Sequence, residues 1–135
     1  MATGDDLIEV FLSKGPWAVV GASVDRAKYG NKVLRAYLQS GKLPVHPVNP
    51  RALEVEGLRA FPDLGSLPET PRGVSIITPP QVTENVVDEA AARGIRYLWM
   101  QPGAESPVAV ERARAHGLEV ISGGPCLLVV LGYRE

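Results

Sequence analysis

The sequence predicts an α/β fold, a doubly wound and mainly parallel sheet of five strands with helices on both faces. Short apolar runs of strand length alternate with longer segments in which apolar residues recur at helical spacing. Glycines follow most of the helical segments, as is typical of helix C-termini. Strands joined by helices lie parallel, and right-handed crossovers carry the helices to both faces of the sheet.

Size, charge and composition restrict the class of protein. The 135 residues suffice for one domain with its own core, and we expect residues 1–135 to form a single domain. A net charge of −1 argues against a general nucleic-acid binder. No apolar run approaches the length of a membrane span and no signal-like segment precedes the first helix. We therefore expect no membrane contact and a cytoplasmic location. A single cysteine excludes an internal disulfide and a cysteine-based metal cluster.

Three elements are predicted before residue 41. Asp5-Asp6, an apolar stripe and then Gly15 predict a short N-terminal helix. The apolar run 17–20 has the length and composition of a buried strand. After a polar and basic loop, apolar residues at helical spacing predict a helix over 30–40, with Gly41 just beyond its end.

The middle of the chain is less regular. Residues 44–48 are interpreted as the second strand, although two prolines are unusual in so short a strand. Within the irregular segment 52–72, Val55-Glu56-Gly57-Leu58 predicts a small hairpin with Gly57 at its turn. A loop with three prolines follows the hairpin.

The second half repeats the alternation of strand and helix. Ser106 followed by proline is typical of a helix start, and Gly94 and Gly117 are typical of helix ends. The final apolar segment, 126–131, is either a helical turn or a short packing segment. The predicted elements are strands 73–77, 95–100 and 118–121, a helix over 81–93 and a helix from Ser106 to His116.

The turn after the first strand predicts an anion site. Gly21-Ala22-Ser23 leads through a loop to Gly30, where a helix begins, and free N–H groups in the first turn of a helix attract phosphate. Arg26, Lys28 and Lys32 add positive charge to the same loop. The dinucleotide fingerprint G-x-G-x-x-G has a glycine where this chain has Ser23, so a βα turn without a ligand is the alternative.

Every other strand also ends in a stiff, polar turn. Ligands of doubly wound sheets bind at the carboxyl ends of the strands, so these turns are candidates for one binding edge. The alternative for each proline is that it merely terminates its strand. The turns are Asn49-Pro50-Arg51, Thr78-Pro79-Pro80, Gln101-Pro102-Gly103 and Ser122-Gly123-Gly124-Pro125.

The second turn discriminates between nucleotides. An NAD site requires an acidic residue about 20 residues beyond the glycine turn. This chain has Asn49-Pro50-Arg51 there, without a carboxylate. An arginine favours a ligand with an additional phosphate on its ribose, which means NADP or coenzyme A. The alternative is a solvated surface arginine.

The turns and their neighbours occur in a fixed order along the chain: VVGAS…YGNKVLRAYLQSG, VHPVNP, IITPP, ARGIRYLWMQPGAES and GLEVI…GPC. Over about residues 10–130 this series resembles the stand-alone CoA-binding domain proteins, which are similar to the N-terminal domain of the succinyl-CoA synthetase alpha subunit. A related domain in redox-sensing repressors uses NAD(H), so the resemblance is more specific for the family than for the ligand.

The resemblance implies a Rossmann-like fold that holds coenzyme A across the strand ends. It implies that Gly21, Ala22 and Ser23, with Arg26 and Lys28, face the phosphates, and that Asn49, Pro50 and Arg51 lie near the adenosine. It further implies that Thr78, Pro79 and Pro80 line the adenine or ribose wall, and that Gln101, Pro102 and Gly103 line the pantetheine path.

Two departures limit what the resemblance implies about activity. The synthetase has a second domain with a phosphorylated histidine, which this sequence does not include, so ligase activity is not carried over. A glutamate of the synthetase is replaced by Gln101, which puts a charge-dependent role there in doubt. His46 and His116 are interpreted as structural and Cys126 as a buried small side chain. No spacing resembles a metal site or a nucleophile–base pair.

Three functional hypotheses remain open from the sequence. The first is a protein that binds coenzyme A or an acyl-CoA without chemistry of its own, as a carrier, sensor or regulator. The second is a dinucleotide-binding module, for NADP before NAD. The third is an enzyme that acts on CoA thioesters with residues supplied at an oligomer interface. A homo-oligomer and a protein partner are both left open.

Overall fold

The computed structural model describes residues 4–135, with side chains described from residue 6 onward. Its helices are α1 Gly4–Ser13, α2 Tyr29–Gln39, α3 Pro80–Ala92, α4 Pro107–Ala115 and α5 Leu127–Val130. Its strands are β1 Trp17–Val20, β2 Val45–Val48, β3 Glu54–Val55, β4 Leu58–Arg59, β5 Gly73–Ile76, β6 Tyr97–Met100 and β7 Glu119–Ile121. The side chain of Asp5, which contributed to the prediction of α1, lies outside the described residues.

The main sheet has five parallel strands in the order β2-β1-β5-β6-β7, which confirms the predicted fold class. Trp17 at the start of β1 lies opposite Val45 on one side and Gly73 on the other. The chain therefore adds β2 on one side of β1 and then crosses over to add β5, β6 and β7 on the other side. The direction in which strands are added reverses between β1 and β5. Pro44 precedes β2, so the strand contains one proline, Pro47. Its presence is explained by the position of β2 at an edge of the sheet, where a missing backbone donor is tolerated.

Successive side chains of each strand point to opposite faces of the sheet, so the hydrophobic core is divided between the two faces. Trp17 and Val19 join one hydrophobic cluster with side chains of α1, α2 and α5. Ala18 and Val20 join a second cluster with side chains of α3 and α4. Helices cover both faces, as predicted, and α2 and α3 lie on opposite faces on either side of the reversal.

The predicted hairpin is present between β3 and β4. Val55 pairs with Leu58, and Glu56 and Gly57 both have positive φ angles, 50° and 80°, as in a two-residue type I′ turn. The following segment is attached to the sheet edge, because the N–H of Phe61 donates to Pro47 O and the N–H of Asn49 donates to Phe61 O. This attachment brings residues 62 and 63 to the carboxyl ends of the strands.

Element bounds differ from the prediction by one or two residues. Pro80 is the first residue of α3, and α2 begins at Tyr29. The helical alternative for 126–131 is confirmed, since α5 covers Leu127–Val130. Among helices of the described residues, none is both long and apolar enough to cross a bilayer.

Candidate functional site

A cavity of about 800 Å³ opens at the carboxyl ends of β1, β2 and β5, where the strand order reverses. This is the position at which doubly wound sheets bind their ligands. Most of the residues predicted for the site line it: Gly21, Ala22, Ser23, Lys28, Asn49, Pro50, Arg51, Thr78 and Pro79. The structure thus brings the first three strand ends together around one space.

Two glycines allow α2 to begin against the end of β1. A Cβ atom on Gly30 would lie 1.9 Å from the carbonyl oxygen of Gly21. Gly21 itself has a φ of +97°, and a Cβ there would lie 2.7 Å from Ile77 O. Gly30 therefore provides the close helix–strand packing that the third glycine provides in dinucleotide-binding turns. The first turn of α2 consequently borders the cavity.

The N-terminus of α2 presents donors to the cavity. Its N-cap residue, Lys28, makes no side-chain hydrogen bond to the helix, and Lys28, Tyr29 and Gly30 all line the cavity. N–H groups in the first turn of a helix have no partner within the helix, and the helix dipole makes this end partially positive. This end of the cavity is therefore favourable for an anionic group.

Two asparagine side chains hold the loop between β1 and α2. Asn31 is fully buried, and its Nδ2 donates to Ser23 O at 2.8 Å and to Glu56 Oε2 at 3.2 Å. The Nδ2 of Asn49 donates to Ala22 O at 2.8 Å. Because both carbonyls are engaged, the loop keeps its shape before a ligand arrives, which lowers the entropic cost of binding. Asn31 was not identified from the sequence. Its position in the first turn of a helix could have drawn attention to it, because a buried amide is unusual there.

The second strand end positions Arg51. The Oδ1 of Asn49 accepts the N–H groups of Arg51 at 2.7 Å and Ala52 at 3.1 Å, which closes a tight Asx turn. Arg51 is exposed and lines the cavity. Asn49 therefore links the two strand ends, since its amide nitrogen holds the first loop and its oxygen holds the second.

Only some of the predicted cations border the cavity. Lys28 is exposed there, whereas Arg26 lies outside the lining and its Nη1 is 2.9 Å from Glu56 Oε1. Lys32 pairs with Glu135 at 2.7 Å. Ser23 is half-buried, and its Oγ accepts the N–H of Asp25, which leaves the hydroxyl proton for a ligand. The positive charge at the cavity comes from Lys28, Arg51 and the helix end.

The opposite wall is formed by α3 and by the segment after the hairpin. Val82 and Val86 of α3 make this wall apolar, Ile77 after β5 adds apolar surface beside them, and Asn85 and Glu89 add polar groups. The Oε1 of Glu89 accepts the N–H of Leu64 at 2.8 Å, which fixes the segment containing Pro62 and Asp63. These polar groups were not predicted, although helical spacing from the predicted apolar face, which includes Val82 and Val86, places Asn85 and Glu89 beside it. Pro80 lies outside the lining, because it begins α3.

The fourth strand end lies beside the cavity. Gln101 is fully buried, and its Oε1 accepts the hydroxyl of Tyr29 at 3.0 Å and the N–H of Leu127 at 2.9 Å. Pro102 and Gly103 are exposed and outside the lining. The pantetheine path assigned to these three residues therefore stays a prediction. Tyr29, which does line the cavity, was not identified from the sequence.

Three further side chains, those of His46, His116 and Cys126, are of types that can take part in catalysis. His46 Nε2 lies 2.8 Å from Glu69, and His116 Nε2 lies 3.1 Å from Asp88; both histidines are outside the cavity lining. Cys126 is half-buried, and its Sγ lies 2.8 Å from the Tyr29 hydroxyl. Burial raises the pKa of that phenol, so Tyr29 stays neutral. Within residues 4–135, no cluster of three or more His, Cys, Asp or Glu could hold a metal ion.

Curated proteins with similar sequences are ligases of much greater length. The alpha subunit of the ADP-forming acetate–CoA ligase II of Pyrococcus furiosus is 31% identical over 128 residues, which are 85% of this chain and 27% of the relative. The ADP-forming acetate–CoA ligase II of Archaeoglobus fulgidus is 29% identical over 126 residues, 85% of this chain and 19% of the relative. The chain thus spans about a quarter or less of these relatives.

Solved structures include proteins of similar length. A conserved hypothetical protein from Pyrococcus furiosus is 39% identical with a TM-score of 0.79, over 84% of this chain and 97% of that one. The acetyl-coenzyme A synthetase 1 of Ca. Korarchaeum cryptofilum, solved with phosphate and ADP, is 31% identical with a TM-score of 0.75. That match covers 89% of this chain and 27% of the synthetase. A family model described as the CoA binding domain matches residues 16–132. The resemblance stated from the strand-end motifs is therefore confirmed, and the chain belongs to the CoA-binding domain family.

Proposed function

We propose that the cavity binds coenzyme A or an acyl-CoA, with the nucleotide part of the ligand at the carboxyl ends of β1, β2 and β5. The observation that carries this proposal is the position of Arg51. It lines the same cavity as the N-terminus of α2, at the strand end where an NAD site would have a carboxylate. The family match to residues 16–132 supports the same ligand.

The diphosphate is assigned to the turn between β1 and α2. The N–H groups at the start of α2, the Ser23 hydroxyl and the Lys28 ammonium supply donors and positive charge on one side of the cavity. Gly21 and Gly30 permit the backbone to approach the ligand closely. The hydrogen bonds of Asn31 and Asn49 to the loop carbonyls keep these donors in place.

The 3′-phosphate of the ribose is assigned to Arg51. A guanidinium group matches the geometry of a phosphate and forms charge-assisted hydrogen bonds with it. Because the Asx turn of Asn49 fixes the backbone of Arg51, the side chain extends from a defined point at the cavity edge. The adenine is assigned to the apolar wall of Ile77, Val82 and Val86, against which a flat ring buries apolar surface.

We propose a binding role without chemistry of its own, as a carrier, sensor or regulator that acts on a partner. The long relatives are named as ligases, and one of them is named as an alpha subunit, so a protein partner is in keeping with the family. Arg51 also suits the ribose phosphate of NADP, which makes NADP the second candidate ligand.

Equilibrium binding separates the two ligands. Calorimetry with CoA, dephospho-CoA, NADP and NAD at one salt concentration should give the tightest binding for CoA. Loss of the 3′-phosphate should weaken binding about ten- to hundredfold, the value expected for a charged hydrogen bond. Tighter binding of NADP than of CoA would replace the proposal by the second candidate, and no binding of any of the four would overturn both. Native mass spectrometry of freshly purified protein would show which ligand it retains.

A further inference from the structure

A chain of hydrogen bonds connects the cavity to the cysteine. The hydroxyl of Tyr29 donates to Gln101 Oε1 at 3.0 Å, and the same hydroxyl lies 2.8 Å from Cys126 Sγ. Because the hydroxyl proton is used by Gln101, the thiol of Cys126 donates to the Tyr29 oxygen. Tyr29 also lines the proposed CoA cavity, so Cys126 lies one side chain away from it.

A second observation at this place points to a ligand. The amide nitrogen of Gln101 is fully buried and has no hydrogen-bond partner among the described residues. The amide group lies within the same cluster as Cys126, since its oxygen accepts from Tyr29 and from the N–H of Leu127, the residue that follows Cys126. A buried donor without an acceptor costs free energy, and a carbonyl of an incoming ligand would satisfy it. The pantetheine arm of CoA carries two amide carbonyls before its terminal thiol.

We propose that Cys126 is a thiol–disulfide exchange site that captures the terminal thiol of the cavity's ligand as a mixed disulfide. This inference rests on the proposed binding of CoA. The co-reactant is a disulfide of CoA, such as the symmetric CoA disulfide. The Cys126 thiol loses its proton to solvent, and its thiolate attacks one sulfur of that disulfide. The bond from Cys126 to the CoA sulfur forms, the original disulfide bond breaks, and the second CoA leaves as a thiolate. The number of disulfide bonds is unchanged, so no further oxidant is required.

The cavity should make the exchange selective. A nucleotide bound at β1 and α2 holds its flexible arm near Cys126, which raises the effective concentration of the disulfide at that sulfur. A disulfide without a nucleotide lacks this advantage. We therefore expect exchange with CoA disulfide to be at least about tenfold faster than exchange with oxidised glutathione.

The test uses the reduced full chain and intact-mass spectrometry over time. Since the chain contains a single cysteine, an added mass of one CoA less two hydrogens identifies the site. Adenosine 3′,5′-bisphosphate, which occupies the nucleotide region without a thiol arm, should slow the CoA reaction toward the glutathione rate. Arg51→Ala should slow the CoA reaction and leave the glutathione reaction unchanged.

Equal rates for the two disulfides, or no adduct, in a protein that binds reduced CoA would overturn the inference and leave the proposed function intact. Cys126→Ser is the control that separates the two proposals. It should bind reduced CoA in calorimetry and form no adduct. If neither the wild type nor this variant binds CoA, the proposed function and the inference fail together.

Discussion

At the scale of single residues, Arg51 is the side chain that we propose distinguishes CoA from ligands without a ribose phosphate. We expect Arg51→Ala to weaken CoA binding about ten- to hundredfold and to leave dephospho-CoA binding nearly unchanged, because only CoA carries the 3′-phosphate that we assign to the guanidinium. Calorimetry with both ligands at one salt concentration measures the difference. Arg96→Ala is the matched control, since Arg96 precedes β6 at the opposite end of the sheet and packs on Tyr97. Equal losses for CoA and dephospho-CoA would remove Arg51 from this role.

Gly30 is a residue whose replacement should affect stability and binding together. An added Cβ would meet the backbone oxygen of Gly21 at 1.9 Å, and a backbone atom cannot rotate away. We expect Gly30→Ala to lower the free energy of unfolding by about 1–3 kcal/mol and to displace the start of α2 from the cavity. Urea denaturation and CoA binding measure the two effects. Gly65→Ala, whose Cβ would meet nothing closer than 3.5 Å, should change neither.

The location of a single residue could be predicted where it depends on the sequence immediately around that residue. The structure places three predicted strand ends around one cavity, because each follows a buried strand: Gly21-Ala22-Ser23, Asn49-Pro50-Arg51 and Thr78-Pro79. Arg26 shows the limit of this reasoning. Its ion pair joins it to Glu56, 30 positions along the chain, and nothing in the local sequence indicates that pairing. The hydrogen bonds of Gln101 with Tyr29 and Leu127 also join residues far apart in the sequence, by 72 and 26 positions.

The N-terminus of α2 acts as one element in the proposed binding of the diphosphate. We expect the double variant Ser23→Ala and Lys28→Ala to weaken CoA binding about tenfold or more, with little change in the midpoint of thermal unfolding, because both side chains are at the surface of the cavity. Ser13→Ala with Lys14→Ala is the matched control, since this serine–lysine pair precedes β1 at the opposite end of the sheet. A large fall in the unfolding midpoint of the first variant would mean that Ser23 and Lys28 are structural.

The helices and the strands of the main sheet could be predicted from the spacing of apolar residues. The irregular segment between β2 and β5 could be predicted only in part. The hairpin was predictable because its two-residue turn contains Gly57, and both turn residues need positive φ angles. Where the hairpin lies was not predictable. Its attachment depends on backbone hydrogen bonds of Phe61 and the edge strand. Since every residue except proline carries the same backbone groups, the sequence does not indicate which ones pair. Pro62 and Asp63 therefore could not be assigned to the cavity in advance.

The whole molecule should lose stability in alkaline solution because of a buried phenol. Tyr37 is fully buried against Ser75, with 2.7 Å between the two hydroxyl oxygens, and burial raises its pKa above the ordinary value. Below about pH 10, Tyr37 is protonated in both the folded and the unfolded state and contributes no pH dependence. Above that pH the unfolded chain loses the proton while the folded state retains it, so stability falls as pH rises.

Tyr37→Phe tests this assignment. The slope of unfolding free energy against pH, measured by urea denaturation between about pH 9 and pH 11, should become shallower than in the wild type. Ser75→Ala is the control, because it removes the same hydrogen bond and keeps the buried phenol, so the steep slope should persist. An unchanged slope in Tyr37→Phe would assign the alkaline sensitivity to another group.

The reversal of strand order between β1 and β5 has a consequence for motion. One wall of the cavity belongs to the half of the core packed under α2, and the other belongs to the half packed under α3. A ligand that touches both walls couples their local unfolding, because either helix must break ligand contacts in order to open. Amide hydrogen exchange in α2 and α3 should then slow by similar factors when CoA saturates the protein.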